Sequence, residues 1–118
     1  MYKTLVDEGS VATSTSTTLA DSKVIELGEH TNDVVVVAEG QADSNATSDV
    51  TIHIRNSYNG EDFDTVDADS FDVPTSESDS LVRKSYVTKN KLHFLKAIVE
   101  NGDSTYTADD VKVIVDTK

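Results

Sequence analysis

The residues with the clearest chemical potential are five aspartates in one short stretch, Asp62, Asp64, Asp67, Asp69 and Asp72. Carboxylate oxygens are preferred ligands of Ca²⁺, so a loop that holds a structural cation is conceivable here. The stretch lacks the glycine at the sixth position and the glutamate at the twelfth that helix–loop–helix calcium sites need. In a chain with 15 aspartates such a cluster also arises by chance, so we assign no metal ligand.

The imidazole side chains of the sequence are His30, His53 and His93. No two of them have the spacing of a metal-binding pair, such as the two histidines of HExxH. The flanking residues predict His53 on the polar face of a strand and His93 within a buried run. We therefore interpret these two as packing or hydrogen-bonding residues and not as ligands.

Motifs for catalysis are missing from the sequence. It contains no Gly-x-Ser-x-Gly elbow, no glycine-rich phosphate loop and no cysteine, which excludes disulfides and thiolate chemistry. Serine and threonine number 27 together, too many for any one to be singled out as a nucleophile. We predict a protein that is not an enzyme, with no catalytic or cofactor-binding residue and no cofactor. Asn45-Ala46-Thr47 fits a glycosylation acceptor, which matters only in a secreted chain.

Length and charge narrow the class of protein. The 118 residues suffice for one domain, and 22 acidic against 10 basic residues give a net charge of −12. This balance opposes nucleic-acid binding, and no apolar run reaches the length of a membrane helix. We therefore expect neither nucleic acid nor a membrane as a partner. Excess aspartate is typical of a protein kept soluble in brine, where salt screens self-repulsion. The alternatives are an ordinary acidic protein and an acidic face for a basic partner.

The elements that must position these residues are strands. Valine, threonine and isoleucine dominate the sequence, and Val50, Ile52 and Ile54 alternate with polar residues as in a half-buried strand. We predict an all-β, antiparallel two-sheet sandwich of about eight strands, immunoglobulin-like or jelly-roll-like. The predicted strands include 22–27, 33–38, 50–57, 81–88, 92–99 and 110–117.

Several further features have a predicted place in that sandwich. Strands 33–38 and 92–99 are apolar on both faces, which predicts that both faces are covered. Asn59-Gly60 predicts a turn, because both residues tolerate positive φ. The stretch 67–79, which holds Pro74, is the longest irregular segment and is predicted to be a contact loop.

The N-terminal segment is rich in serine and threonine. Residues 1–20 permit two interpretations, a flexible or partner-bound arm and an edge strand. We predict an extended arm ordered by contact with another subunit, followed by a sandwich domain over 21–118. The segment has few apolar residues, chiefly Tyr2, Leu5, Val6, Val11 and Leu19.

One stretch resembles a known family. A strand over 50–57, the turn Asn59-Gly60, the aromatic Phe63 and then Val66 are similar to a pattern in small β-sandwich virion proteins of tailed viruses. The end of the chain is similar to their closing hairpin, with a strand over 91–100, Asn101-Gly102 and a last strand over 110–117. The sequence departs from the pattern in having phenylalanine where tryptophan is frequent, and in its acidity. That acidity fits a virus of halophilic archaea.

The resemblance implies a non-enzymatic structural subunit present in many copies per particle. Among virion roles we favour a capsid decoration protein on the capsid exterior. Its partners would be the major capsid protein and copies of itself in a homo-oligomer. The alternatives are a tail or neck component of the same kind of particle and a cell-surface or carbohydrate-binding sandwich module.

Overall fold

The computed structural model describes residues 2–27, 34–76, 78–88 and 92–116. These residues form nine strands and one short 3₁₀ turn, Leu19–Asp21, so the prediction of an all-β domain is confirmed. The strands are β1 Tyr2–Val11, β2 Thr15–Ser16, β3 Ile25–Glu26, β4 Val34–Gln41, β5 Val50–Ser57, β6 Asp69–Val73, β7 Val82–Thr88, β8 Phe94–Asn101 and β9 Ala108–Asp116.

The strand pairs nest inside one another like a single long hairpin that has been folded over. β5 pairs with β6, β4 with β7, β2 and β3 with β8, and β1 with β9, all antiparallel. Lateral pairing of β4 with β9 and β5 with β8 completes sheet A, β1-β9-β4-β7, and sheet B, β2-β8-β5-β6 with β3 also on β8. This strand order is that of a jelly roll, one of the two sandwich types predicted.

The core lies between the two sheets and is built by period-two alternation. In β5 the side chains of Val50, Ile52 and Ile54 are buried, as predicted, while the residues between them face outward. β4 and β9 bury Val36, Val113 and other side chains against the same core. The fold therefore positions a polar outer face on β5, opposite the core.

The outer faces of β4 and β8 are more exposed than predicted. Val35 and Val37 of β4, and Phe94 and Ile98 of β8, are half-buried and face away from the core. The prediction that both faces of these strands are covered is therefore wrong within this chain. The described residues form no third sheet or helical layer over these faces, because the jelly roll has only two layers.

The N-terminal segment differs from the predicted arm. β1 pairs with β9 along its length, and Leu5, Val6 and Val11 are buried in the core. The alternation of β1 is broken because the register shifts between Thr4 and Val6, so two adjacent residues point inward. Tyr2–Val11 therefore belongs to the sandwich, and the edge-strand interpretation describes it better.

The predicted contact loop over 67–79 contains a strand. β6 occupies Asp69–Val73, with Phe71 and Val73 buried and Ser70 and Asp72 exposed. Only two apolar residues carry this alternation, in an acidic context next to Pro74, which is why the sequence pattern concealed it. The irregular connection lies instead before β6, over residues 58–68.

The two sheets are joined along both sides of the sandwich. On one side Lys23 N–H donates to the carbonyl of Leu5 at 2.8 Å, which links the segment before β3 to β1. On the other side the rings of Phe71 and Tyr86 stack with centroids 4.7 Å apart, and Tyr86 Oη donates to Asp69 Oδ1 at 2.8 Å. These contacts hold β6 and β7 together at the edges of their sheets.

Candidate functional site

The polar outer face of sheet B carries the densest side-chain network of the described residues. Its base is β5, whose alternation turns Thr51, His53 and Arg55 outward because the intervening residues fill the core. We call the cluster of His53, Arg55, Asp67 and Glu100 the β5 network. The prediction of His53 on a polar strand face is confirmed.

His53 joins two carboxylates that are distant in sequence. Its Nδ1 lies 2.7 Å from Asp67 Oδ2, and its Nε2 lies 2.8 Å from Glu100 Oε1. A ring that donates to a carboxylate from each nitrogen is the protonated imidazolium. Partial burial lowers the pKa of His53, but hydrogen bonds and charge attraction from Asp67 and Glu100 outweigh burial and raise it above 6.5.

Arg55 holds the same carboxylate from a second direction. Its Nε donates to Asp67 Oδ1 at 2.7 Å, and its Nη1 donates to the Asp64 carbonyl at 3.1 Å. Burial raises the pKa of Asp67, but the hydrogen bonds and charge attraction from His53 and Arg55 outweigh burial. The pKa of Asp67 is therefore below its usual value. Asp67 is therefore the anionic centre that two cations share.

The connection over residues 58–68 is fixed to the outer face of sheet B by these and other contacts. Asp64 N–H donates to the Asn56 carbonyl at 2.9 Å, and Ala68 N–H donates to the Ile54 carbonyl at 2.8 Å. Lys96 Nζ lies 5.1 Å from the centroid of the Phe63 ring, within cation–π range. The loop is thus held at several points along its length.

Two large side chains of this connection point into solvent. Tyr58 is 75% exposed and Val66 is 70% exposed, the two highest values among the large hydrophobic residues of the described chain. Apolar side chains on a fixed, acidic loop suit contact with another macromolecule. We therefore take the loop over 58–68 together with the β5 network as the candidate interaction surface.

The turn predicted at Asn59-Gly60 is confirmed, and a buried serine organises it. Ser57 Oγ accepts hydrogen bonds from the N–H groups of Asn59 and Gly60 at 3.2 and 2.9 Å. Asn59 Oδ1 accepts from Glu61 and Asp62 N–H at 2.9 and 2.8 Å. Gly60 has φ of +83°, the left-handed conformation that favours glycine.

The carboxylates of four of the five aspartates considered for a cation accept hydrogen bonds from separate partners, including Tyr86 Oη on Asp69. Asp67 belongs to the β5 network, Thr51 Oγ1 donates to Asp72 at 2.8 Å, and Asn59 Nδ2 donates to Asp62 at 2.8 Å. No group of three or more histidine or carboxylate side chains in the described residues is arranged to hold a metal ion. The stretch is therefore a set of local hydrogen-bond acceptors in this structure.

His93 does not join this network. His93 is exposed and lies just before β8, so its predicted place in a buried run is wrong. The buried side chains of this region are Leu92, Leu95, Ala97 and Val99. His30 lies outside the described residues. Asn45 of the glycosylation acceptor is exposed, and its side chain donates to Asp43 Oδ1 at 3.1 Å.

A second polar centre, which the sequence analysis missed, organises the connection after β8. Asp103 is 3% exposed, and its carboxylate accepts from the N–H groups of Thr105 and Tyr106 at 2.9 Å each and of Thr47 at 2.7 Å. These backbone hydrogen bonds lower the pKa of Asp103 to about 2. The only sequence signal was its place directly after Asn101-Gly102, which predicted a turn but no partners.

One open cleft lies near this centre, at an end of the sandwich. It has a volume of about 310 Å³ and is lined by Gln41, Asp43, Asp79, Tyr106 and Asp109, among others. Gln41 Nε2 donates to the Asp79 carbonyl at 2.7 Å and so fixes one wall. The cleft offers carboxylates, one half-buried tyrosine and the Thr107 hydroxyl, which donates to Asp109 Oδ1 at 3.4 Å.

Comparisons with known proteins do not assign the chain to a family. No known family matches the sequence, and no curated protein is significantly similar to it. Within the part of the chain that the structure describes, no helix is long and apolar enough to cross a membrane.

Proposed function

We propose that the chain is a non-enzymatic structural protein of a virus particle, and specifically a capsid decoration protein of a tailed virus that infects halophilic archaea. Its partners would be the major capsid protein and further copies of the same chain, on the capsid exterior. The observation that carries the proposal is the fixed loop over 58–68, which presents Tyr58 and Val66 from an acidic surface.

The construction of the loop supports docking to a surface. The β5 network and the backbone bonds of Asp64 and Ala68 hold it against sheet B before any partner arrives. A preordered element loses little conformational entropy on binding, which favours stable contacts repeated over many copies. By analogy of fold, the jelly roll supports the same role, since it also occurs in many viral capsid proteins.

The acidity supports a particle that is exposed to brine. A net charge of −12 on 118 residues gives strong self-repulsion at low salt. The Debye length falls to about 3 Å at 1 M salt, so repulsion between neighbouring copies on a capsid would be largely screened there.

The proposal is tested on particles released by cells that carry the gene for this chain. We expect the chain to copurify with the particles in a copy number comparable to that of the major capsid protein. Antibodies against it should label the heads of intact particles. Labelling confined to the tail or neck would establish the second virion role. A chain that stays with the cells after particle release would refute both.

The acidic cleft supports a second candidate, a carbohydrate-binding module at a cell surface. Carboxylates such as Asp43 and Asp109 accept hydroxyl hydrogen bonds, and the ring of Tyr106 offers an apolar surface to a sugar. Binding of the purified chain to a panel of glycans, lost in Tyr106→Ala, would favour this module over the virion protein. Glycan attached to Asn45 would point the same way.

A further inference from the structure

The outer face of sheet A carries a row of alternating charges that runs across all four strands. The register places Asp7 of β1 opposite Lys112 of β9, Lys112 opposite Glu39 of β4, and Glu39 opposite Arg83 of β7. Arg83 Nη2 lies 2.7 Å from Glu39 Oε2. The row therefore reads negative, positive, negative, positive from one edge of the sheet to the other.

The two ends of the row are opposite charges on opposite edges. Asp7 is exposed on the β1 edge, and the Arg83 side chain is 63% exposed on the β7 edge. A second row of the same face runs from Tyr2 of β1, through Asp116 and Val35, to Val87 of β7. Tyr2 is 64% exposed and Val87 is 46% exposed, so this row ends in an accessible apolar side chain at both edges.

We infer that the β7 edge of one copy of this chain docks against the β1 edge of the next, so that sheet A continues from copy to copy. Lateral repetition would put Arg83 beside Asp7 of the next copy and Val87 beside its Tyr2. The charge alternation would continue without two like charges side by side. β1 and β4 run in the same direction, opposite to β7, so the new pair would be antiparallel like the others.

The alternative pairings are less favourable. Two β7 edges would bring two copies of Arg83 and Lys84 together, and two β1 edges would do the same with Asp7 and Glu8. The carbonyl of Leu5 is already bonded to Lys23 N–H, so pairing with β1 uses the strand on either side of Leu5. Side chains at the row ends therefore carry the specificity of the contact.

The contact is head-to-tail, so repetition produces closed rings or open rows of copies. The proposed function requires contacts between copies, and this edge contact would be one of them. To that extent the inference rests on the proposed function. The test nevertheless uses the purified chain alone. If the chain is found in virus particles but its edges do not pair, only the edge contact is refuted. If the edges pair but the chain is found in no particle, only the proposed function is refuted.

The absence of cysteine from the sequence permits a direct test by disulfide trapping. Thr4 and Ser85 end the row between the two described above, Thr4–Ile114–Val37–Ser85, so they would lie opposite each other across the contact. Directly opposite residues on paired strands have Cβ atoms about 4.5–5.5 Å apart, near the range of a disulfide. We would prepare Thr4→Cys and Ser85→Cys chains with tags of different mass, mix them in about 1 M KCl to screen repulsion, and oxidise them.

We expect the mixed dimer of Thr4→Cys and Ser85→Cys to form at least about tenfold faster than dimers of an exposed control, Ser44→Cys, because docking raises the effective thiol concentration. Equal rates for all combinations would overturn the inference. So would a Ser85→Cys dimer with itself as the main product, since that indicates a two-fold contact. If Thr4→Cys unfolds, the exposed pair Tyr2→Cys and Val87→Cys gives the same readout from the neighbouring row.

Charge reversal adds a second readout. Asp7→Lys should slow formation of the mixed dimer about three- to tenfold at low salt, and adding Arg83→Asp to the partner chain should restore it. Glu26→Lys makes the same charge change on an exposed residue of β3 in sheet B, outside both edges of sheet A and the loop over 58–68, and should leave the rate unchanged. If the mixed dimer forms but Asp7→Lys does not change its rate of formation at low salt, the charge row does not determine which edges pair.

Discussion

His53 Nδ1 lies 2.7 Å from Asp67 Oδ2, and this contact ties strand β5 to the loop that leads to β6. The other ring nitrogen meets Glu100 of β8, so one imidazolium bridges three segments of the chain. His53 and its two partners are 14 and 47 residues apart in sequence. Neutralising the ring therefore weakens the attachment of the loop to the sheet.

The pH dependence of stability follows from this bridge. The pKa of His53 is raised above 6.5 in the folded chain, so its stabilising contribution is full below 6.5 and is lost as the pH rises through the folded pKa. We expect the free energy of unfolding in urea to decrease as the pH rises from 6.5 through the folded pKa of His53. NMR titration of the His53 ring should give a midpoint above 6.5.

His53→Gln tests whether the charge on the His53 ring causes this pH dependence, because glutamine can form hydrogen bonds but cannot become charged. This variant should lose the decrease in stability over that pH range. His93→Gln, at an exposed histidine before β8, should retain it. A His53 midpoint at or below 6.5 would contradict the bridge.

Asp103 predicts a pH dependence in the acidic range. Its folded pKa of about 2 lies below the ordinary 3.8, so its contribution is present above 3.8 and is lost as the pH falls toward 2. Asp103→Asn should destabilise the chain at neutral pH, because the NH₂ group that replaces Oδ2 cannot accept hydrogen bonds from the N–H donors of Thr47 and Ser48. The difference between the urea midpoints of wild type and variant should disappear as the pH approaches 2. A difference that stays constant would show that the charge on Asp103 does not stabilise the folded chain.

Gly60 is required by both its backbone and its surroundings. Its φ is +83°, and an added Cβ would lie 3.0 Å from Cδ1 of Phe94. Gly60→Ala should therefore destabilise the chain by about 1–3 kcal/mol. Gly9→Ala is the matched control, since a Cβ there meets no atom within 4 Å, and it should change stability by less than about 0.5 kcal/mol. Equal effects of the two substitutions in thermal unfolding would refute this account.

The sequence predicted elements where local patterns suffice and failed where the fold supplies the constraint. Strand β5 and the turn at Asn59-Gly60 were predictable, because alternation and positive φ are local properties. β6 was not, since only Phe71 and Val73 mark its buried face. The β5 network was half predictable: the polar face of His53 is local, whereas Asp67 and Glu100 reach it only through strand pairing and loop folding.

Leu5 tests whether the N-terminal segment is an arm or a strand of the domain. Its side chain is 1% exposed in the core, so Leu5→Ala should cost about 2–5 kcal/mol of folding free energy. Val24→Ala removes apolar volume from a residue that is 42% exposed, and its cost should be below about 1 kcal/mol. If Leu5→Ala folds with wild-type stability and only self-association weakens, the segment acts as an arm after all.

We expect salt to stabilise the folded chain. The net charge of −12 opposes the compact state, and this repulsion is screened as the Debye length falls from about 10 Å at 0.1 M to about 3 Å at 1 M salt. We expect the melting temperature to rise steadily with KCl up to molar concentration. Adaptation to brine is part of the proposed function, and a melting temperature that does not change with KCl would remove that part.

Salt also strengthens the burial of apolar groups, so a variant must separate this effect from charge screening. Glu26→Gln, Glu61→Gln and Asp64→Asn combined neutralise three exposed carboxylates and change the net charge from −12 to −9. The apolar contribution should be the same in both proteins. If self-repulsion causes the salt dependence, the variant should melt at a higher temperature than wild type at low KCl and show a shallower rise. Parallel curves would assign the salt effect to apolar burial and leave the acidity without a role in stability.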